Sequence, residues 1–253
     1  MKMRRIITIT FLLLTVTCFS QKLKKKKENK GSGKAIYYVL KSDQSVKHGE
    51  YKIKAYSGSA ILLSGTYSYG EKTGKWTERY YRKGRELKSV GEYKNNLKVG
   101  IWSFYNPKGK LVQRYNYDTK ELIKSTECVE NKDYEVYINE KIVKSILDCP
   151  PSYIGGKEAL TYELYKKISR SFDFETNSVG RTKIDIDNSV SFFIDEKGDV
   201  NNIKFAKEVE IEYLKEFIEK QILERKGKWL AGSLNELKVK SKIAIKIRIK
   251  LMF

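Results

Sequence analysis

Few residues in this chain have the types and spacing that chemistry requires. His48 is the only histidine, so a nucleophilic triad would rest on it alone, and no metal site with two imidazoles can be built. It stands beside Gly49 in a polar stretch, which reads as a solvated surface imidazole. Gly155-Gly156-Lys157 has part of a phosphate-binding loop, but no glycine precedes it at the required spacing and Glu158 follows. The stretch from Gly70 through Gly74 to Lys75 is one residue short of that pattern and runs into Trp76. Asp185 and Asp187 alternate with Ile184 and Ile186, as on a strand with one wet face. Asp195 and Asp199 flank a glycine turn without calcium-loop spacing. The sequence therefore predicts no catalytic residue, no metal ligand and no cofactor, and it points away from an enzyme.

The elements that would position these residues begin after a leader. Residues 1–20 read as a secretory signal: Lys2, Arg4 and Arg5, an apolar run from Ile6 to Val16, then Cys18-Phe19-Ser20 before Gln21. The run falls short of the roughly 20 apolar residues of a spanning helix, and an uncleaved anchor is the alternative. The 253 residues include 51 Lys+Arg against 31 Asp+Glu, a formal charge of +20, with 40% hydrophobic and 12% aromatic residues. That composition is too apolar for a disordered polymer and fits one or two folded domains. Export removes nucleic acid from the expected partners and brings in anionic envelope surfaces. It also permits a disulfide between Cys128 and Cys149, with two separate buried thiols as the alternative.

Residues 21–35 carry seven lysines and a Gly-Ser-Gly, and read as a flexible linker. Its Lys24–Lys27 run could lie on an anionic membrane surface. From residue 36 to 122 the sequence repeats with a period of about 25 residues. Gly49-Glu50-Tyr51, Gly74-Lys75-Trp76 and Gly100-Ile101-Trp102 open three units, answered downstream by Tyr67, Tyr93 and Tyr117. Turns at Arg82–Arg85 and Pro107–Lys110 make each unit a hairpin with its aromatics, Tyr51, Tyr67, Trp76, Tyr93, Trp102 and Tyr117, in a shared core. Residues 123–149 suggest a connector hairpin that extends the repeat sheet, with Cys128 and Cys149 at its ends. Residues 150–253 change grammar: helix from Lys157, strand at Val190–Ile194, strand at Val200–Phe205, helix from Ile211 to Arg225, and a final alternating strand through Ile243, Ile245, Ile247, Ile249 and Leu251. The predicted fold class is an all-β hairpin repeat array followed by an α+β domain with a three-stranded antiparallel sheet and two helices.

The repeat stretch resembles MORN-type repeats in the variant with G-x-W…Y…G…Y units. The matched positions are Gly74, Trp76, Gly91 and Tyr93, then Gly100, Trp102, Gly109 and Tyr117, with Tyr51 in place of tryptophan in the first unit. Residues 151–253 resemble the C-terminal domain of TonB, the energy transducer of the gram-negative envelope. Three landmarks carry that likeness: Pro151-Ser152-Tyr153-Ile154-Gly155-Gly156, the hairpin from Val190 through Gly198 to Val200, and Gly227-Lys228-Trp229-Leu230-Ala231-Gly232. Ile154 and Ala231 replace family prolines, and the chain has only 3 Pro where a transducer carries a long Pro-rich spacer.

The resemblance implies an exported protein of the periplasm or cell envelope that binds another protein, such as an outer-membrane receptor or transporter segment. Capture would occur by β-strand addition along the last strand, at Lys246, Ile247, Arg248, Ile249 and Lys250. The basic residues there would favour an acidic partner, and a homodimer through the same edge is a further expectation. The alternative is an envelope scaffold whose repeats bind lipid or glycan, with the terminal domain serving for docking or dimerisation.

Overall fold

A computed structural model describes residues 21–31, 33–81, 86–129, 131–175, 183–209 and 212–252. The leader at 1–20 and the Arg82–Arg85 turn lie outside the described residues. Nine strands form one antiparallel meander in chain order: β1 (Leu23–Lys30), β2 (Gly33–Leu40), β3 (Lys47–Ala55), β4 (Ile61–Ser68), β5 (Glu71–Arg79), β6 (Leu87–Lys94), β7 (Leu97–Tyr105), β8 (Leu111–Asn116) and β9 (Glu121–Ser125). The three expected hairpins are β3–β4, β5–β6 and β7–β8. Two-residue turns join the units, Tyr69-Gly70 and Asn95-Asn96, each with both residues at positive φ. That geometry matches the twist of flanking strands, and asparagine and glycine tolerate it best.

Tyr51, Trp76 and Trp102 are buried in one cluster, with Tyr67, Tyr93 and Tyr117 packed against it. Consecutive rings meet edge to face: Tyr51–Tyr67 at 5.4 Å, Tyr67–Trp76 at 5.3 Å, Trp76–Tyr93 at 5.7 Å, Tyr93–Trp102 at 5.1 Å and Trp102–Tyr117 at 6.1 Å. This stacking explains why a glycine stands two residues before Tyr67 and Tyr93. A Cβ on Gly65 would lie 2.1 Å from the Trp76 ring, and one on Gly91 would lie 2.3 Å from Trp102. In the third unit the equivalent position is Tyr115, because β9 brings no further tryptophan to cover it.

The Lys-rich segment expected to be a flexible linker is instead the edge strand β1, paired with β2 from Leu23↔Leu40 to Lys30↔Gly33. Its composition was misleading because an edge strand needs little core, and lysines suit its solvent-facing side. Tyr37 donates to the Glu28 carboxylate, which also pairs with Lys30. The repeat sheet thus runs from Leu23 to Ser125, wider than residues 36–122.

The rest of the chain builds a second sheet. Its elements are β10 (Asp133–Ile138), β11 (Lys141–Ile146), β12 (Ser152–Tyr153), α1 (Gly156–Glu175), β13 (Lys183–Ile194), β14 (Val200–Phe205), α2 (Glu212–Leu223), β15 (Trp229–Leu230), β16 (Gly232–Leu234), β17 (Leu237–Val239) and β18 (Ser241–Met252). The sheet has five strands, ordered β11-β10-β18-β13-β14, rather than the expected three. The difference is the connector hairpin, which joins this sheet through Val136↔Ser241 and does not extend the repeat sheet. A backbone bond from Tyr137 N–H to the Lys240 carbonyl and the Lys242–Glu135 ion pair at 2.9 Å hold it there.

Leu160, Leu164 and Ile168 of α1 and Leu214, Ile218 and Ile222 of α2 cover Val190, Phe192, Ile245 and Ile247. Trp229 closes this core against Phe192 at 5.0 Å and Tyr153 at 5.1 Å. The two regions are packed together: Ile154 is buried in the aromatic cluster of the repeats, and Leu230 packs on it.

Candidate functional site

The last strand was expected at an edge; it lies third in a five-strand order. It pairs with β13 along its whole length, from Ser241↔Ile194 to Met252↔Lys183. On its other side the only pairing among the described residues is Ser241 with Val136. Beyond Ser241 the strand therefore keeps an open edge, and β10 diverges from it. The wedge between them is a groove of about 680 Å3 whose walls include Tyr134 and Glu135 on one side and Lys242 to Lys246 on the other, with Lys157 and Thr161 of α1 nearby. Such a groove exposes backbone donors and acceptors to an incoming strand.

The named edge residues divide by face. Ile247 is buried in the core with Ile245, while Lys246 and Arg248 are exposed. Ile249 and Lys250 continue the strand opposite Ile186 and Asp185. Lys246 and Arg248 were expected to offer free positive charge, yet both lie near Asp187 of β13, at 3.6 and 3.4 Å. Cross-strand pairing brings these groups together, an effect invisible when β18 is read alone. The basic character of the wedge comes instead from Lys132, Lys144 and Lys157, set against Glu127 and Asp133, since Lys242 is paired with Glu135 at 2.9 Å.

Cys128 and Cys149 form a disulfide across 21 residues, closing the loop that contains β10 and β11. The bridge ties one wall of the wedge to the end of the repeat sheet. Gln113, fully buried on β8, makes a second tie: its amide donates to the Tyr153 carbonyl and accepts from the Gly155 N–H. Glu127 accepts from the Lys157 N–H, so side chains of this chain occupy the Gly155-Gly156-Lys157 stretch. His48 accepts a bond from the Tyr69 N–H and packs its ring against Tyr69, a structural role. Asp195 accepts from the Lys197 and Asp199 N–H groups and shapes its turn. No group of three or more metal-binding side chains occurs among the described residues, and no described helix is long and apolar enough to cross a membrane.

On the repeats, Lys24 and Lys26 bond Gln44 through its side-chain and backbone oxygens, leaving Lys25 and Lys27 on the opposite face of β1. A second lysine set was not anticipated. Lys47, Lys72 and Lys98 each stand two residues before a unit glycine and lie over its rings. Lys72 sits 4.6 Å from the Trp76 centroid, and Lys98 sits 4.1 Å from that of Trp102. The sequence signal was the recurring Lys-x-Gly-x-aromatic, in which residues four apart on a strand share a face. Desolvation lowers the pKa of Lys72 and brings Lys98 down to about 8.

Between the regions, Lys88 of β6 pairs with Glu78 at 3.1 Å and Glu163 of α1 at 3.7 Å. Burial raises the Glu163 carboxyl, but Lys88, Lys228 and the Tyr153 hydroxyl more than offset it and hold it below its ordinary value. No protein family, curated protein or solved structure matches the chain.

Proposed function

We propose that this is an exported, non-enzymatic protein of the bacterial cell envelope that captures an extended partner segment by β-strand addition, in the manner of a TonB C-terminal domain on a MORN-like repeat array. In that arrangement residues 150–253 are the α+β domain. The supporting observation is the open edge of β18 beyond Ser241, flanked by the wedge that β10 leaves. A partner strand there gains backbone hydrogen bonds on a rigid template, and side-chain pockets of the groove select it. The lysines of the wedge favour an acidic segment, such as one from an outer-membrane receptor or transporter.

Photo-crosslinking in cells from a probe at Lys246 tests this. Adducts with a single envelope protein, lost when Ala244 on the open strand is replaced by proline, are the expected outcome. Crosslinks only between copies of the chain would mean that the edge serves a homodimer. No adducts, with envelope binding abolished by neutralising Lys25 and Lys27, would favour the alternative in which the repeats bind lipid or glycan. That alternative has one specific observation behind it, the lysines ordered on edge strand β1.

A further inference from the structure

Lys72 and Lys98 line a cavity of about 250 Å3 between the second and third repeat units, together with Thr77 and Ser89. That volume holds several waters or one compact ion. Among the described residues neither lysine has a carboxylate within ion-pair distance. Glu78, the carboxylate in the cavity wall, is taken by Lys88 at 3.1 Å. Lys72 faces Trp76 and Tyr93, at 4.6 and 4.9 Å, while Lys98 faces Trp102 and Tyr117, at 4.1 and 5.1 Å, and donates to the Tyr117 hydroxyl at 3.3 Å. Ring faces and one phenol replace only part of the hydration that two ammonium groups lose. A counter-anion would supply the rest.

We propose that this cavity binds one small soluble oxyanion, a phosphate or a compact dicarboxylate, between the ammonium groups of Lys72 and Lys98, with the Ser89 hydroxyl, on the same face as Glu78 and Trp76, as a further donor. The site stands apart from the β18 edge and does not depend on strand capture. The chemistry is charge-assisted hydrogen bonding in a partly desolvated crevice, where lysine acts as a point charge. The charged groups around Lys98 are Glu78 and Glu163, which favour its protonation, and Lys228 and Lys88, which oppose it. A bound anion would add to the first pair, so binding takes up protons near pH 8 and weakens above it.

Titration calorimetry of the exported chain with inorganic phosphate and with malonate, at pH 7 and fixed chloride, tests the site. Saturation at one ion per chain is expected, with affinity falling about tenfold or more in both Lys72→Gln and Lys98→Gln. Lys24→Gln/Lys25→Gln removes charge from the edge strand and should leave affinity unchanged; near-ultraviolet circular dichroism of the tryptophans verifies the repeat sheet in each variant. Absence of saturable binding for both ions, or equal weakening in the edge-strand control, would overturn the proposal. So would Lys98-dependent binding to phosphatidylglycerol vesicles without binding of free ions, since that would make the site a membrane contact.

Discussion

The two sheets of this protein solve the same problem differently. In the repeat sheet every strand pairs with its neighbours in sequence, and the core is one motif stacked on itself. In the second sheet the central strand β18 comes last in the chain and must join β10 and β13, made long before it. Local pairing leaves only end strands open, whereas non-local pairing lets β10 and β18 meet at one residue pair and then separate. The repeat sheet is therefore the periodic platform, and the irregular sheet carries the open edge.

The contrast can be broken most severely in the aromatic stack. Trp76 is 2% exposed and meets Tyr51, Tyr67 and Tyr93, so Trp76→Ala should cost about 3–5 kcal/mol in urea unfolding. A loss below 1 kcal/mol would mean that the units do not depend on one another. Removing the disulfide with Cys128→Ser/Cys149→Ser should cost about 3 kcal/mol, as expected for a loop of 21 residues. Hydrogen exchange should quicken in β10 and β11 but not in β3–β8; uniform quickening would show that the bridge supports the whole molecule.

Gln113→Leu tests the junction between the sheets. It leaves the Gly155 N–H without its buried acceptor and should cost about 1–3 kcal/mol. The smallest effect concerns Lys98. Its folded pKa of about 8 lies below the ordinary lysine value of 10.5, so folding penalises the charged form. That penalty applies in full below pH 8 and is relieved as pH rises toward 10.5. The stability of wild type relative to Lys98→Met should accordingly rise by about 1–2 kcal/mol between pH 7 and 10. A pH-independent difference would show that the ammonium is well solvated.

Much of this architecture is legible in the residues. The spacing of Tyr51, Trp76 and Trp102 predicts three hairpins, and they form at β3–β4, β5–β6 and β7–β8. Helix periodicity at Leu160, Leu164 and Ile168 and alternation through Ile243, Ile245 and Ile247 also match observed elements. The lysines before each unit glycine have the same period, which composition alone does not show. The β1 strand was missed because its pairing depends on β2 rather than on an apolar pattern of its own.

A residue and its near neighbours decide which stretches alternate, which turn, and which aromatics recur in phase. Those properties depend on backbone sterics and on side chains a few residues apart. Packing between distant segments places the connector hairpin in the second sheet, sets Asp187 against Lys246 and Arg248, and leaves β18 open beyond Ser241. Each is a choice among distant strands with compatible edges, settled by packing and register across the fold. The wedge and the lysine-lined cavity both arise at that level, which is why neither could be read from its own segment.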